Sequence, residues 1–200
     1  MQSRQPEKSM DPFSHQYLKA LKAVLDDFPH EPYQQLLDAI VAAYHDQRRI
    51  FVMGNGGSAA TASHWACDIN KGCCLELEKK FRMVCLNDNI ATMMAYANDL
   101  SYEAVFVEQL KNFFEPGDLV IGISGSGNSE NVLRAVAWAN DHGGVTAGLC
   151  GFAGGKLGQL AAIPVLVPVD DMQLVEDGHV IITHMAMQQI QKELGVAGGC

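Results

Sequence analysis

Two pairs of polar residues have the type and spacing to do chemistry. His64 and Asp68 stand four positions apart in a helix-forming segment, so they share one helix face. An imidazole and a carboxylate placed in this way can bind one divalent metal ion or divide the roles of acid and base, although an ordinary surface pair has the same spacing. Nearer the C-terminus, Glu176 and His184 are about two helical turns apart, so both can border one groove.

Two segments rich in glycine and serine follow apolar runs. Residues 50–53 lead into Gly54-Asn55-Gly56-Gly57-Ser58, and residues 119–123 lead into 124–129, which reads Ser-Gly-Ser-Gly-Asn-Ser. A turn of this kind at a helix N-terminus exposes backbone N–H groups that favour a phosphate; the alternative is an ordinary loop whose Ser and Asn cap the helix. Neither segment matches a P-loop or a dinucleotide-binding fingerprint, so no nucleotide cofactor is expected. The pair predicts a phosphorylated ligand.

Composition and charge restrict the class of protein. The chain has 200 residues, of which 48% are hydrophobic and 18% charged, which is typical of a globular protein. We expect one domain over 11–194, a flexible arm at 1–10 and a flexible tail at 195–200. A net charge of -9 argues against general nucleic-acid binding. No apolar run approaches the roughly 18 residues of a membrane span, and the polar N-terminus lacks a signal core, so we expect a cytoplasmic protein without a membrane partner.

Hydrophobic periodicity predicts the elements that position these residues. Two amphipathic stretches, 12–27 and 31–47, predict an N-terminal helical pair. From residue 50 onward the pattern alternates, with strands predicted at 50–53, 81–86, 118–123, 145–149 and 163–167, and helices at 57–71, 89–97, 102–113, 129–141, 155–160 and 172–194. This alternation is typical of an α/β fold with a doubly wound, mainly parallel sheet, in which ligands bind beyond the carboxyl ends of the strands.

In this order, the motifs resemble those of the sugar isomerase (SIS) domain family. The resemblance runs from about Leu18 to Leu194 and rests on five features: 54–58 with His64 downstream, Asn98-Asp99, 124–129, the segment 151–156, and the last helix with His184. It implies a five-stranded parallel sheet flanked by helices, a homotetramer, and active sites built from more than one subunit.

The resemblance also implies roles for individual residues. A sugar phosphate would be bound by Asn55, Gly56, Gly57, Ser58, Asn98, Asp99, Ser124, Gly125, Ser126, Ser129, Asp68 and Glu176. Zinc or another divalent metal would be held by His64, Asp68, Glu176 and His184. The chain departs from the family pattern where Asp68 replaces a catalytic Glu, Glu176 replaces a Gln, and Gly125 replaces a hydroxyl residue.

The function implied by the resemblance is aldose–ketose isomerisation. The expected reaction converts sedoheptulose 7-phosphate to D-glycero-D-manno-heptose 7-phosphate through an enediol(ate), with Asp68 and His184 as the proton-transfer pair. The alternative is a non-catalytic phosphosugar sensor or a protein-binding scaffold of the same family. Retention of His64, Asp68, Glu176 and His184 favours the enzyme, because a scaffold has no chemical reason to keep them.

Overall fold

A single parallel sheet forms the centre of the molecule. The structure, a computed structural model, describes residues 12–196. Its strands are β1 (Ile50–Gly54), β2 (Met83–Cys85), β3 (Leu119–Ser124), β4 (Val145–Gly151) and β5 (Ile163–Val167). They are arranged in the order β2-β1-β3-β4-β5, and every neighbouring pair is parallel. The predicted five-stranded parallel sheet is therefore confirmed.

Eight α-helices surround this sheet in the described part of the chain. They are α1 (Phe13–Asp26), α2 (His30–His45), α3 (Gly57–Cys67), α4 (Ile90–Asp99), α5 (Val105–Phe113), α6 (Glu130–Asp141), α7 (Leu157–Leu160) and α8 (Met172–Glu193). A 3₁₀ turn, Tyr102–Ala104, precedes α5. The predicted order of elements holds throughout, and most bounds agree within a few residues.

The helix predicted at 57–71 changes character partway along. Its α-helical part ends at Cys67, and Asp68–Cys73 forms a π-helical turn. The Asn70 side chain pairs with the backbone of Met83 in β2: its amide donates to the Met83 carbonyl at 2.8 Å and its oxygen accepts from the Met83 N–H at 3.2 Å. These hydrogen bonds attach the π-helical turn, which begins at Asp68, to the outer strand β2.

Both faces of the sheet are buried, as expected when helices cover each side. One face packs α2, α3 and α8 around Ile50, Val52 and Ile121, and the other packs α5, α6 and α7 around Phe51 and Val120. The strands therefore read as continuous apolar runs rather than alternating patterns. Asp118, 1% exposed, accepts the Arg49 and Glu115 backbone N–H groups, both at 2.9 Å, where β3 begins.

The two N-terminal helices differ in burial. On α2, Leu36, Leu37 and Ile40 are fully buried in the core of the same chain. No residue of α1 is buried, and its contact with the body includes a hydrogen bond from the Tyr17 hydroxyl to Asp177 at 2.8 Å. The pair is present as predicted, but only α1 keeps an exposed apolar surface.

The predicted arm at 1–10 and residues 197–200 of the predicted tail lie outside the described residues. Gly195 and Val196 extend from the end of α8, where the Val196 N–H donates to the Gln191 carbonyl at 2.9 Å. Within residues 12–196, no helix is both long enough and apolar enough to cross a membrane.

Candidate active site

The two glycine-rich turns lie side by side at the carboxyl ends of β1 and β3. β1 and β3 are neighbours, but the chain continues from β1 to β2 on one side and from β3 to β4 on the other. Parallel sheets bind ligands at such a switch in strand order, because the following helices diverge and leave a crevice. A cavity of about 280 Å³ lies there, lined by Asn55, Gly56, Gly57, Ser58, Ile123, Ser124, Gly125, Ser126, Ser129, Met172 and Glu176. Most of the predicted phosphate and sugar residues therefore line one cavity.

The first turn places a helix N-terminus in this cavity. A Cβ at Gly54 would lie 2.7 Å from the Ser58 Cβ, so glycine is required where α3 begins so close to β1. Gly56 adopts φ +55°, which suits glycine, and no side chain caps α3. The first N–H groups of a helix without such a cap are available to an anion.

The second turn contributes hydroxyls. Ser124 and Ser129 Oγ atoms are hydrogen-bonded at 3.0 Å, and Ser126 Oγ accepts the Asn128 N–H at 3.2 Å. Ser129 precedes α6 without capping it through its side chain. Neither α3 nor α6 is therefore capped by a side chain of these turns, contrary to the helix-capping alternative.

A third glycine segment supports the second turn from behind. The Gly151 N–H donates to the Gly125 carbonyl and the Leu157 N–H to the Gly127 carbonyl, both at 2.9 Å. At Gly127, φ is +66°, and an added Cβ would meet the backbone of Gly154 and lie 3.0 Å from the Gly155 Cα. Segment 151–156 thus fixes the shape of the second turn, residues 124–129, which we call the serine loop.

His64, Asp68 and His184 form a compact cluster, and none of the three lines the 280 Å³ cavity. The two Nε2 atoms are 2.9 Å apart, and His64 Nε2 lies 3.4 Å from Asp68 Oδ2. One ligand atom from each residue lies within 4.8 Å of the others, which suits a single metal ion. Two imidazoles and a carboxylate are the donor set of a catalytic zinc site, which keeps a further position for water or substrate. The residues therefore fit the metal that the sequence suggested.

Glu176 does not join this cluster. Its carboxylate packs against Gly57, with Oε2 2.6 Å from where a Cβ on that residue would lie. It lines both the 280 Å³ cavity and an adjoining one of about 330 Å³ that His64 also borders. Glu176 was predicted as the fourth metal ligand, but the structure does not group it with the other three, because its side chain lies over the N-terminus of α3. It forms the wall between the serine loop and His64.

Gly125 makes room for Met172 at the start of α8. The Met172 sulfur occupies the place where a Cβ on Gly125 would be, and its Cε lies 3.4 Å from that place. Met172 also lines the cavity. A thioether therefore fills space near the position where the family pattern has a hydroxyl residue.

Asn98 and Asp99 lie at the C-terminal end of α4. Both are exposed, the Asn98 amide donates to Asp99 Oδ1 at 2.8 Å, and neither lines the two cavities. The nearby Tyr102 hydroxyl reaches Asn55 Oδ1 at 2.8 Å. The connection between this segment and the site thus runs through Tyr102.

Sequence reasoning missed three residues that hold the first turn. Asn87 bonds both backbone groups of Gly54, at 2.8 and 3.1 Å. Asn131 and Tyr102 both bond to the Asn55 side chain. Asn87 lies two residues after β2, and Asn131 lies at the start of α6, directly after the serine loop. A polar residue close to the end of a strand was the signal that could have identified them.

His179 is a core residue of α8. It is 1% exposed, and neither ring nitrogen has a hydrogen-bond partner in the described structure. Burial lowers the pKa of His179 to about 4. The imidazole is therefore neutral at physiological pH.

A parallel five-stranded sheet with two glycine-rich turns at its switch point defines an α/β protein with a candidate ligand site at the ends of its strands. The chain belongs to the SIS domain family, whose sequence profile matches residues 16–151. It is 38% identical to a phosphoheptose isomerase from Geobacter metallireducens over 78% of this chain and 82% of that protein.

Solved structures agree with this assignment. A phosphoheptose isomerase from Neisseria gonorrhoeae is 26% identical and superposes with a TM-score of 0.81 over 90% of this chain and 97% of that one. A phosphoheptose isomerase from Francisella tularensis, at 24% identity, shares the fold with a TM-score of 0.83 over 89% of this chain and 96% of that one.

Proposed function

We propose that this protein is an aldose–ketose isomerase that converts sedoheptulose 7-phosphate to D-glycero-D-manno-heptose 7-phosphate. One observation carries the proposal: the cavity between the two glycine-rich turns adjoins a second cavity that His64 borders, and Gly57 and Glu176 line both. An anion-binding end and a cluster of titratable groups are thus side by side. The similarity to phosphoheptose isomerases over most of the chain supports the same activity.

The phosphate group is assigned to the two turns. Ser58, Ser124, Ser126 and Ser129 supply hydroxyls, and the start of α3 supplies backbone N–H groups. Neither cavity lining contains Lys or Arg among the described residues. The proposed recognition therefore relies on dipoles and hydrogen bonds within this chain.

The sugar is assigned to the residues between the phosphate and the cluster. Asn55, Gly56, Gly57, Gly125 and Glu176 line the cavity on this path. Asn98 and Asp99 would reach the sugar from the end of α4. We assign Glu176 to substrate rather than to metal, because its carboxylate packs on Gly57.

Isomerisation moves one proton between C1 and C2 of the sugar through an enediol(ate). We propose that Asp68 removes the proton from C1 of the ketose and returns it to C2, while His184 exchanges protons with the two oxygens. His64, 3.4 Å from Asp68, orients that carboxylate. When bound, a zinc or other divalent ion held by His64, Asp68 and His184 would supply Lewis-acid stabilisation of the developing oxyanion.

Solvent deuterium incorporation tests this function directly. The purified protein is incubated with sedoheptulose 7-phosphate in D₂O, and NMR follows deuterium at C1 of the ketose and at C2 of the aldose that appears. We expect exchange with the wild type and none with Asp68→Asn, which keeps the serine loop. A wild type that binds the sugar phosphate but exchanges no carbon-bound proton contradicts the enzyme and favours the sensor.

We further propose that the protein is a cytoplasmic homotetramer. Support comes from exposed apolar side chains on α1 and α4, including Phe13 (78% exposed), Leu18 (61%), Ile90 (68%) and Met94 (67%). Because α2 packs into its own core, α1 is the N-terminal helix proposed to contact another copy. Light scattering should give four times the 21.7 kDa chain mass, and a monomer at micromolar concentration would contradict this.

A further inference from the structure

The Asn55 side chain is held by two residues from separate parts of the chain. Its Oδ1 accepts from the Tyr102 hydroxyl at 2.8 Å and from Asn131 Nδ2 at 3.0 Å. Its Nδ2 donates to Asn131 Oδ1 at 2.8 Å. The pairing with Asn131 is reciprocal, so the two amide groups fix each other's orientation.

This arrangement leaves Asn55 with one free hydrogen-bonding group. A primary amide has two acceptor sites on oxygen and two N–H donors on nitrogen. Tyr102 and Asn131 use both acceptor sites, and Asn131 uses one donor. Since Asn55 also lines the 280 Å³ cavity, the remaining N–H is the group it can present to a ligand there.

The two partners differ in how they are anchored. Asn131 is 2% exposed in α6, directly after the serine loop, and its Oδ1 also accepts the Val132 N–H at 3.0 Å. Tyr102 is 52% exposed and follows α4. Asn131 therefore links the turn after β1 to the turn after β3, whereas Tyr102 links it to the segment carrying Asn98 and Asp99.

We propose that Asn131 and Tyr102 are positioning residues that orient Asn55 as a single N–H donor to an oxygen of the sugar. The inference rests on the proposed sugar-phosphate site. A sugar hydroxyl, carbonyl or enediolate oxygen accepts such a bond, so the locked amide selects for oxygen at one place along the ligand chain. Neither positioning residue needs to touch the substrate.

The test uses Tyr102→Phe, which removes only a hydroxyl from a half-exposed ring. Tyr96→Phe is the matched control, because its hydroxyl accepts from Asn112 at 3.2 Å and has no bond to Asn55. Calorimetry measures binding of sedoheptulose 7-phosphate and, separately, of inorganic phosphate. Loss of the oriented donor should weaken sugar-phosphate binding about three- to tenfold, the range of one net hydrogen bond, with phosphate binding and melting temperature unchanged.

A double-mutant cycle separates positioning from a general structural role. In an Asn55→Ala background, Tyr102→Phe should change sugar-phosphate affinity less than about twofold, because the side chain that it orients is gone. Asn131→Asp gives a second arm, because it replaces the Nδ2 donor to Asn55 Oδ1 by a second oxygen. It should weaken sugar-phosphate binding more in the wild-type background than in the Asn55→Ala background, where the added charge acts alone.

Wild-type sugar-phosphate affinity in Tyr102→Phe, or an equal loss with and without Asn55, would overturn the inference. Both readouts are equilibrium binding and need no turnover. A protein that exchanges no substrate proton but shows the predicted coupling would refute the isomerase proposal and leave the positioning roles intact.

Discussion

The Nε2 atoms of His64 and His184 lie 2.9 Å apart, although the two residues are separated by 120 positions in the chain. At this distance one imidazole donates to the other, or both direct lone pairs at one ion. Asp68 completes the group. The contact joins α3, which begins at the first glycine-rich turn, to α8, which carries Glu176.

Removal of His184 should therefore release metal. His184→Ala leaves two of the three clustered ligands, and we expect its zinc content after purification to fall at least about tenfold. His45→Ala, which removes an exposed histidine outside the cluster, is the control. Elemental analysis measures both; equal zinc in wild type and His184→Ala would exclude this histidine as a ligand.

The length of the carboxylate at position 68 should control the rate of proton transfer. Asp68→Asn should abolish isomerisation with little change in phosphate affinity, because it removes the proposed base and leaves the serine loop. Asp68→Glu adds one methylene and should retain or raise the exchange rate. Deuterium incorporation with saturating substrate gives the comparison, and substantial exchange by Asp68→Asn would remove Asp68 from its catalytic role.

Glu176 should oppose phosphate binding through its charge. It lines the same cavity as the serines, and within residues 12–196 no cation is paired with it. Glu176→Gln should tighten inorganic phosphate binding about two- to tenfold at low salt, with a smaller gain at high salt. Asp177→Asn, on a carboxylate bonded to Tyr17, is the control and should change affinity less. Unchanged affinity at low salt would show that the two charges do not interact.

Two glycines that share a positive φ should still differ in cost when replaced by alanine. Gly56 has φ +55° and ψ −121°, outside the left-handed α region, but no atom lies within 4 Å of an added Cβ, so Gly56→Ala should lose about 1–3 kcal/mol through backbone strain alone. Gly127 has φ +66° and no room beside the Gly154 backbone, so Gly127→Ala should lose about 3 kcal/mol or more. Denaturant unfolding measures both, and equal losses would contradict close packing at Gly127.

His179 should make stability depend on pH. Its pKa falls from 6.5 to about 4 on burial, so the unfolded chain binds the extra proton first as pH drops. The contribution of the neutral His179 to the free energy of unfolding is complete above about pH 6.5. It declines as pH falls toward 4, by up to about 3 kcal/mol. His179→Gln should flatten this part of the profile, whereas His45→Gln should not. A wild-type free energy of unfolding that is constant between pH 7 and 4 would contradict a neutral buried imidazole.

Much of the fold could be predicted from the sequence, because hydrophobic periodicity and turn-forming residues indicate the same boundaries for most elements. The apolar runs at 50–53 and 119–123 end in glycine turns, and both became neighbouring buried strands. The π-helical turn at Asp68 was missed, since no local pattern marks it and its Asn70 bonds to Met83 in another element.

The candidate site was predicted less completely for a similar reason. Spacing within one helix linked His64 to Asp68, and the resemblance added His184. Glu176 was grouped with them, but the absence of a Cβ at Gly57 leaves room for its carboxylate elsewhere. Asn131 and Tyr102 were missed because their contacts with Asn55 cross between elements.

Because the strand order reverses between β1 and β3, separate segments of the chain contribute to the candidate site. The proposed phosphate site belongs to the turns after β1 and β3, whereas the exposed His184 and the half-buried Glu176 lie on α8. Substitutions on α8 can therefore change the side-chain cluster and the cavity wall and leave both turns intact. Such a division lets one scaffold diversify among reactions, or lose catalysis and keep recognition, without rebuilding its core.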